Sequence, residues 1–425
     1  MNSTAMNIET GIEPVALQGV ASGALWTLAA SVSAALSQWL LLMMTAKLGS
    51  TEMVGQLALS LAVVAPIQVL TDMALRPALA TDARHEFHFR DYFRLRVAMT
   101  TLAVIAVCAA AWWRGGAVAL IIVAVGLQKA VESASDLFFG LFQREEKLKW
   151  MGQSVVLRST LASIAFVGVM LVYGNLLAAC VAGLAIRVVV FVMHDLARGA
   201  QLTHWRADGI NGAGNARVKK LLVASLPLAA GLFLMSLAVN IPRYFVEKRI
   251  GLAALGVFAA LVYLFQAGAM LIDAVGQASC VRLARFHFLG DRRAFRDLLL
   301  KLCGLAALGA FGGIAVACVG GGTLLRLAYS AAFAGAAKPF VWLSVCAVPW
   351  YCSSILGYAL IARRQMTALF HCQVVSLAAT LGASYWLIGG HSLSNACGVV
   401  FVTYSVLLVL YGFVLWSEPE EGVTA

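Results

Sequence analysis

The chain has 425 residues, of which 61% are hydrophobic and 12% charged. Soluble domains hold about 25% charged residues, so this composition excludes a soluble globular protein and describes a polytopic membrane protein. The net charge of +11 does not call for nucleic acid, because basic residues collect in the loops on one side of a membrane protein.

The polar start, 1–18, has no basic n-region and no small-residue cleavage site, so the first apolar span is expected to be retained rather than removed as a signal peptide. Twelve apolar spans follow, at 20–46, 54–76, 93–113, 117–139, 152–173, 176–195, 220–243, 253–277, 298–319, 339–361, 366–388 and 394–416. At about 1.5 Å per residue, a helix of some 20 residues crosses a hydrocarbon core of about 30 Å. The loops after even-numbered spans carry 22 of the 31 Lys and Arg residues, and the loops after odd-numbered spans carry 7. This asymmetry places the even loops, and with them both termini, in the cytoplasm. The nine cysteines lie almost all in apolar runs, with no CxxC pair. They read as packing thiols rather than a metal or disulfide framework.

Charged and amide side chains inside spans mark candidate sites, since lipid does not solvate them. Span 1 offers Thr27, Ser31, Gln38 and Thr45 but no carboxylate, and span 2 ends on Asp72. Span 4 carries Lys129, Glu132 and Asp136 at i, i+3 and i+7. This is either an ion-pair face or, with one acid left over, a group that takes up a proton or sodium ion. Arg158 lies on the cytoplasmic half of span 5, where snorkelling to the interface competes with a cavity role. Arg187 lies about 11 residues into span 6, near mid-membrane, where arginine costs about 2.5–3.5 kcal/mol on insertion scales. It is read either as a cavity cation or as the partner of a carboxylate such as Glu132.

Span 7 runs without charge from Leu221 to Ile241 and then meets Pro242 and Arg243. Ser236, Asn240 and Arg243 share one face of it, and Tyr263, Gln266, Asp273 and Gln277 share one face of span 8. Two adjacent polar stripes, each with an ionisable residue, point to a common cavity; polar packing between helices is the plainer alternative. Pro66 and Pro227 fall inside apolar runs, where a missing N–H loosens the helix. Trp112, Trp113, Trp150, Trp342, Trp350, Tyr351 and Trp416 read mostly as interface belts, some of which can stack on sugar rings.

The chain also repeats itself. Lys47-Leu48-Gly49 with Gly55 matches Arg249-Ile250-Gly251 with Gly256. Gly55 to Asp72 is 17 residues, as is Gly256 to Asp273, and Gly55 to Arg84 is 29, as is Gly256 to Arg285. Phe89-Arg90-Asp91 recurs as Phe295-Arg296-Asp297. The copies begin six spans apart, so the expected fold is all-α: two parallel six-helix halves, residues 1–197 and 218–425, joined by a polar cytoplasmic linker, 198–217. The equivalence of Asp72 and Asp273 predicts a structural or gating role common to both halves.

These stretches resemble the polysaccharide flippases of the MOP superfamily. Ala46-Lys47-Leu48-Gly49 through Gly55 to Pro66 is similar to their first loop and second helix. Leu226-Pro227-Leu228, Ile241-Pro242-Arg243-Tyr244 and Ile250-Gly251 through Gly256-Val257-Phe258-Ala259 are similar to their seventh and eighth helices. The resemblance implies Wzx-type export of an undecaprenyl-diphosphate-linked oligosaccharide across the bacterial inner membrane, for O-antigen or exopolysaccharide assembly. Related lipid II flippases have fourteen spans rather than twelve. The MATE drug exporters of the same superfamily use acids on the first helix that this chain lacks.

A cavity for such a substrate needs fixed cations for the diphosphate and hydrogen-bonding groups for the sugars. Arg187, Arg158, Arg243, Asn240, Gln266 and Gln38 are the candidate substrate contacts, and Glu132, Asp136, Asp273 and Asp72 the candidates for ion coupling. No cofactor is expected beyond a coupling H+ or Na+. The expected partners are the lipid-linked oligosaccharide, the bilayer, and the polymerase and chain-length proteins of the same pathway. The sequence has no Walker A, HExxH or GxSxG motif, so an enzyme is not expected. Two other readings stay open: a MATE-like antiporter of small compounds, and a membrane-embedded polymerase or ligase of the same glycolipids.

Overall fold

A computed structural model describes residues 14–82, 86–202, 214–390 and 392–417. Among them are twelve helices long and apolar enough to cross a membrane, and each overlaps one of the spans read from sequence. They are α1 (Pro14–Leu48), α2 (Thr51–Asp72), α3 (Phe89–Arg114), α4 (Gly116–Arg144), α5 (Leu148–Tyr173), α6 (Leu176–Val190), α7 (Gly214–Arg249), α8 (Leu252–Phe288), α9 (Arg292–Ala328), α10 (Ala337–Ala362), α11 (Met366–Leu387) and α12 (Leu393–Ser417). Polar caps set several starts. Ser50 accepts from the Met53 N–H at 3.2 Å, Asn175 from Ala178 at 3.0 Å and Asp291 from Ala294 at 2.9 Å, each satisfying a helix-end donor that has no intrahelical partner. The 37 residues of α8 make a helix of about 55 Å, well beyond the hydrocarbon core, so it emerges from it; α9 is as long in sequence but breaks at Gly320, whose φ of -134° and ψ of 16° are not helical.

The packing of the first six spans recurs in the last six. In the first half α2 and α6 pack on α4, α1 on α5, and α5 on α6; in the second α8 and α12 pack on α10, α7 on α11, and α11 on α12. The halves meet where α2 crosses α8. There Gly55 and Gly256, matched by the sequence repeat, touch each other reciprocally. A Cβ on Gly55 would lie 1.9 Å from the Leu252 carbonyl oxygen, and one on Gly256 would lie 2.0 Å from the Thr51 carbonyl oxygen. Each of those carbonyls belongs to the residue four before the opposing glycine. The contact is therefore self-complementary, as an axis relating the halves requires. Only glycine lets the two backbones approach so closely. Tyr244 Oη, donating to the Ala62 carbonyl at 2.5 Å, and the Arg114–Glu247 ion pair add further links between the halves.

The repeat is not kept everywhere. α8 runs on without a break past Asp273, but α2 stops at Asp72, and Met73 and Ala74 take left-handed φ of 52° and 47°. Non-glycine residues reach that region at a cost of about 1–2 kcal/mol each. The break redirects a short helix, Leu75–Thr81, so that its fully buried Leu75 and Leu79 pack with Phe138, Phe139 and Phe142 of α4. A π-helical turn at Phe191–Leu196, which the apolar pattern did not signal, continues α6 and buries His194 and Asp195. The linker expected at 198–217 is also shorter than read. Helix persists to Leu202 and resumes at Gly214, and the rest of the expected linker lies outside the described residues. The sequence-matched Arg84 lies outside the described residues.

Candidate functional site

Between the halves lies a cavity in three joined parts. The central part, about 380 Å³, is lined by Gln38 of α1, Lys129 of α4, Asn240 and Arg243 of α7, and Tyr263, Gln266 and Asp273 of α8. A part inside the first half, about 170 Å³, shares Gln38, Lys129 and Tyr263 with it and adds Gln128, Glu132, Arg158 and Arg187. A part inside the second half, about 330 Å³, shares Arg243, Asp273, Trp350 and Tyr404 with the centre. The polar stripes of spans 7 and 8 therefore do face one space. Ser236, the first member of the span 7 stripe, and Gln277, the last of the span 8 stripe, lie outside it, and Gln277 is exposed. All six residues expected to contact substrate line this cavity. Of the four expected to couple an ion, Glu132 and Asp273 line it.

Helix periodicity explains these placements. Asn240 and Arg243 are one turn apart; the Arg243 Nη1 donates to Asn240 Oδ1 at 2.9 Å, and Asn240 Nδ2 donates back to the Ser236 carbonyl at 2.8 Å. The Arg243 guanidinium stands 5.8 Å from the Tyr263 ring centroid, a cation–π distance. Tyr263 Oη in turn accepts from Gln38 Nε2 at 3.2 Å, bridging α8 of the second half to α1 of the first.

The first-half wall holds three cations, Lys129, Arg158 and Arg187, against one carboxylate. Glu132 is shared, with Lys129 Nζ at 2.7 Å and Arg187 Nε at 2.9 Å. Arg187 is 8% exposed and also donates to the Gly183 carbonyl at 3.0 Å. Of the two sequence readings of Arg187, the ion pair with Glu132 is present, and the side chain still borders the cavity. Arg158 differs. Its guanidinium lies 5.5 Å from the Phe139 ring centroid, and its buried Nη1 has no hydrogen-bond partner. Arg158 is thus the cation whose hydrogen-bonding capacity is left over.

The acids sort just as unevenly. Asp136 is taken by Arg76 at 3.0 Å, and Gln143 also accepts from that guanidinium. Asp72 accepts from Arg96 at 2.7 Å, Ser133 at 2.5 Å and Gln68 at 2.9 Å, a closed network away from the cavity. Asp273, its match in the repeat, accepts from the Ser354 hydroxyl, and no Lys or Arg among the described residues pairs with it. The equal role expected for the two aspartates is not supported by equal surroundings. Arg96, which neutralises Asp72, comes from α3, and the repeat supplies no such cation to Asp273.

The aromatic reading also needs correction. Trp112 and Trp113 are each 89% exposed, as belt residues should be. Trp350, however, stacks on Tyr404 in the cavity wall, with centroids 4.7 Å apart and planes 7° apart. Tyr351 is buried, donating to the Phe265 carbonyl at 2.9 Å. Both lie midway along α10 rather than at its end, so neither sits at a membrane interface. Lys129 was likewise read only as an ion-pair member, although an in-span lysine was already the sign of a cavity. No cluster of three metal-binding side chains occurs among the described residues.

No family model matches the chain. It is 22% identical over 382 residues to the capsular polysaccharide biosynthesis protein CapF of Staphylococcus aureus, covering 90% of this chain and 96% of the relative. It superposes on the lipid II flippase MurJ in an inward closed conformation with a TM-score of 0.72, at 9% identity, covering 93% of this chain and 88% of that one. It superposes on a multidrug resistance MATE family transporter of the MOP superfamily, inward-facing, with a TM-score of 0.71, at 14% identity, covering 89% and 93%. The chain therefore has the fold of the MOP-superfamily transporters, twelve membrane helices in two six-helix halves around a shared cavity.

Proposed function

We propose that the protein is a flippase that carries a lipid-linked oligosaccharide across the bacterial inner membrane for polysaccharide assembly, from the cytoplasmic leaflet to the outer one. The face bearing most of the basic loops is the cytoplasmic one, with both termini on it. The observation that carries this reading is the surplus of positive charge in the cavity, with Arg158 Nη1 buried and unpartnered. A buried donor without a partner is unfavourable unless a ligand completes it. A diphosphate has the oxygens and the charge to do so, and hydroxyl-rich sugars suit the amides of Gln38, Asn240 and Gln266. A cationic cavity repels the cationic compounds that a drug antiporter would carry. The capsular polysaccharide relative supports the same pathway.

The entry route follows from the asymmetry between the halves. α2 packs along α7, but the symmetry-equivalent pair, α8 and α1, touches at few places. This sparse contact, bridged by the Gln38–Tyr263 hydrogen bond, is where a headgroup enters from the side while its lipid stays in the bilayer. Asp273, lining the cavity with no basic partner among the described residues, is the group that takes up the coupling H+ or Na+. The polymerase and chain-length proteins of the same assembly are the expected downstream partners.

The test is Arg158→Ala in vesicles loaded with lipid-diphosphate oligosaccharide, with translocation read by a membrane-impermeant lectin. A hydrogen bond to a charged group is worth about 1.5–3 kcal/mol, so apparent affinity should fall about tenfold to a hundredfold. Arg158→Lys should recover part of it, because a point charge replaces a planar fork. Unchanged affinity in a folded Arg158→Ala protein would refute the anion site.

A further inference from the structure

A second cavity lies away from the one between the halves, at the basic face of the second half. It measures about 470 Å³ and is formed where α8 ends, α9 begins, and α10 and α12 end. Arg292, Arg293, Arg296 and Arg363 line it, against the single carboxylate of Asp291. That carboxylate already accepts from the Ala294 N–H as the cap of α9. Among the described residues neither Arg293 nor Arg296 has an ion-pair partner, and both side chains are exposed. The N-terminus of the long α9 adds the positive end of its helix dipole.

The sequence repeat gives an internal comparison. The first-half counterpart of Phe295-Arg296-Asp297 is Phe89-Arg90-Asp91, at the start of α3. There the first turns of α7 cover the position. Arg217 pairs with Asp91 at 3.1 Å and Lys220 with Glu86 at 2.5 Å, and Gly214 packs on Arg94. In the second half the equivalent place is a cavity with basic walls and, among the described residues, no lining acid beyond the capping Asp291; Arg363 is held there, its Nη1 donating to the Leu415 carbonyl at 3.0 Å and its guanidinium 4.9 Å from the Phe295 ring centroid. Charge pairs close the site in the first half, whereas in the second Arg293 and Arg296 border the cavity with no ion pair among the described residues, which leaves room for an anion between them.

The walls say what kind. Buried Phe295, Leu299 and Leu415 line its apolar side. Trp416 at the end of α12 is 61% exposed, and Phe288 and Leu289, in the turn between α8 and α9, are 79% and 61% exposed. Exposed apolar side chains beside clustered arginines, at the ends of membrane helices, fit the interface of an anionic bilayer. A free phosphate or nucleotide would gain nothing from them. We propose that this cavity binds the headgroup of an anionic phospholipid, whose phosphodiester sits among the arginines and whose acyl chains lie along Leu415 and Trp416. The bound lipid ties the ends of α8, α9, α10 and α12 together, on the same α8 that carries Gly256 and Asp273. This inference does not depend on what the central cavity carries.

The experiment uses the full chain in detergent, with native mass spectrometry against phosphatidylglycerol and phosphatidylcholine. The wild type should retain phosphatidylglycerol at least tenfold better than phosphatidylcholine. Arg293→Gln with Arg296→Gln, both on exposed positions, should remove that preference. Lys149→Gln with Lys219→Gln, an equal charge change elsewhere on exposed positions of the basic face, should keep it. Equal loss in both double variants would reduce the effect to overall charge and overturn the site. Inorganic phosphate competing as well as phosphatidylglycerol would make it an anion site without lipid specificity, and would also overturn the proposal. So would binding seen only after Glu418, Glu420 and Glu421, the acids that follow Trp416 in sequence, are changed to Gln, since the chain's own acids would then be the occupant.

Discussion

Adding one methyl group at the crossing of α2 and α8 should shift the protein from one conformation to another. Gly256→Ala places a Cβ 2.0 Å from the Thr51 carbonyl oxygen, and Gly55→Ala places one 1.9 Å from that of Leu252. Both obstacles are backbone atoms, so no side-chain rotation relieves them. The helices must separate by roughly 1 Å to reach ordinary contact, and overpacking of this kind costs about 1–3 kcal/mol. The cost falls only on the state in which the halves meet here, away from the basic face. A state opened on this side has already lost the contact and accepts the methyl. At about 1.4 kcal/mol per tenfold change, the equilibrium should move about fivefold to 150-fold toward opening on the non-basic face. The assay is the labelling rate of Gln266→Cys, in the cavity wall, by an impermeant maleimide applied to whole cells, with the nine native cysteines replaced. Gly256→Ala should raise that rate and slow export. Gly55→Ala with Gly256→Ala should do little more than either alone, because both methyls act on one separation. Gly168→Ala, where a Cβ meets open space, is the control. Unchanged labelling in a folded Gly256→Ala protein would show that this crossing does not close the cavity.

Two further predictions concern the charges. Asp273→Asn should abolish dependence of transport on an ion gradient while leaving substrate binding in place; identical transport to wild type across a pH and sodium series would remove Asp273 from coupling. Arg187→Ala should lower thermal stability by up to about 3 kcal/mol, less than a fully stranded buried carboxylate would cost, because Lys129 still pairs with Glu132. Arg187→Ala with Glu132→Ala should recover most of that stability, leaving only the half-exposed Lys129 without its acid; no recovery would show that the loss does not come from the Arg187–Glu132 pair.

Much of this protein was determined by the sequence alone. Hydrophobic runs and the helix rise are one-dimensional, and the bilayer thickness converts them directly into twelve spans. The repeat is also one-dimensional, and the constant spacing from Gly55 to Asp72 and from Gly256 to Asp273 made the two glycines equivalent positions; that they meet where the halves touch came only from the tertiary structure. Periodicity of 3.6 residues placed Asn240 with Arg243, and Tyr263 with Gln266 and Asp273, on faces that do share a cavity. What periodicity does not carry is the rotation and height of one helix against another. Those are set jointly by many packed side chains, and they decide which charge meets which across long sequence separations. So only the tertiary structure decided that Arg96 takes Asp72 and Arg76 takes Asp136. It likewise decided that Glu132 holds both Lys129 and Arg187, while Arg158 and Asp273 face the cavity with no ionic partner among the described residues. The break after Asp72 belongs to the same class. Its left-handed residues have no local signature, and they persist because Leu75 and Leu79 gain a buried seat against α4 that the second half does not offer.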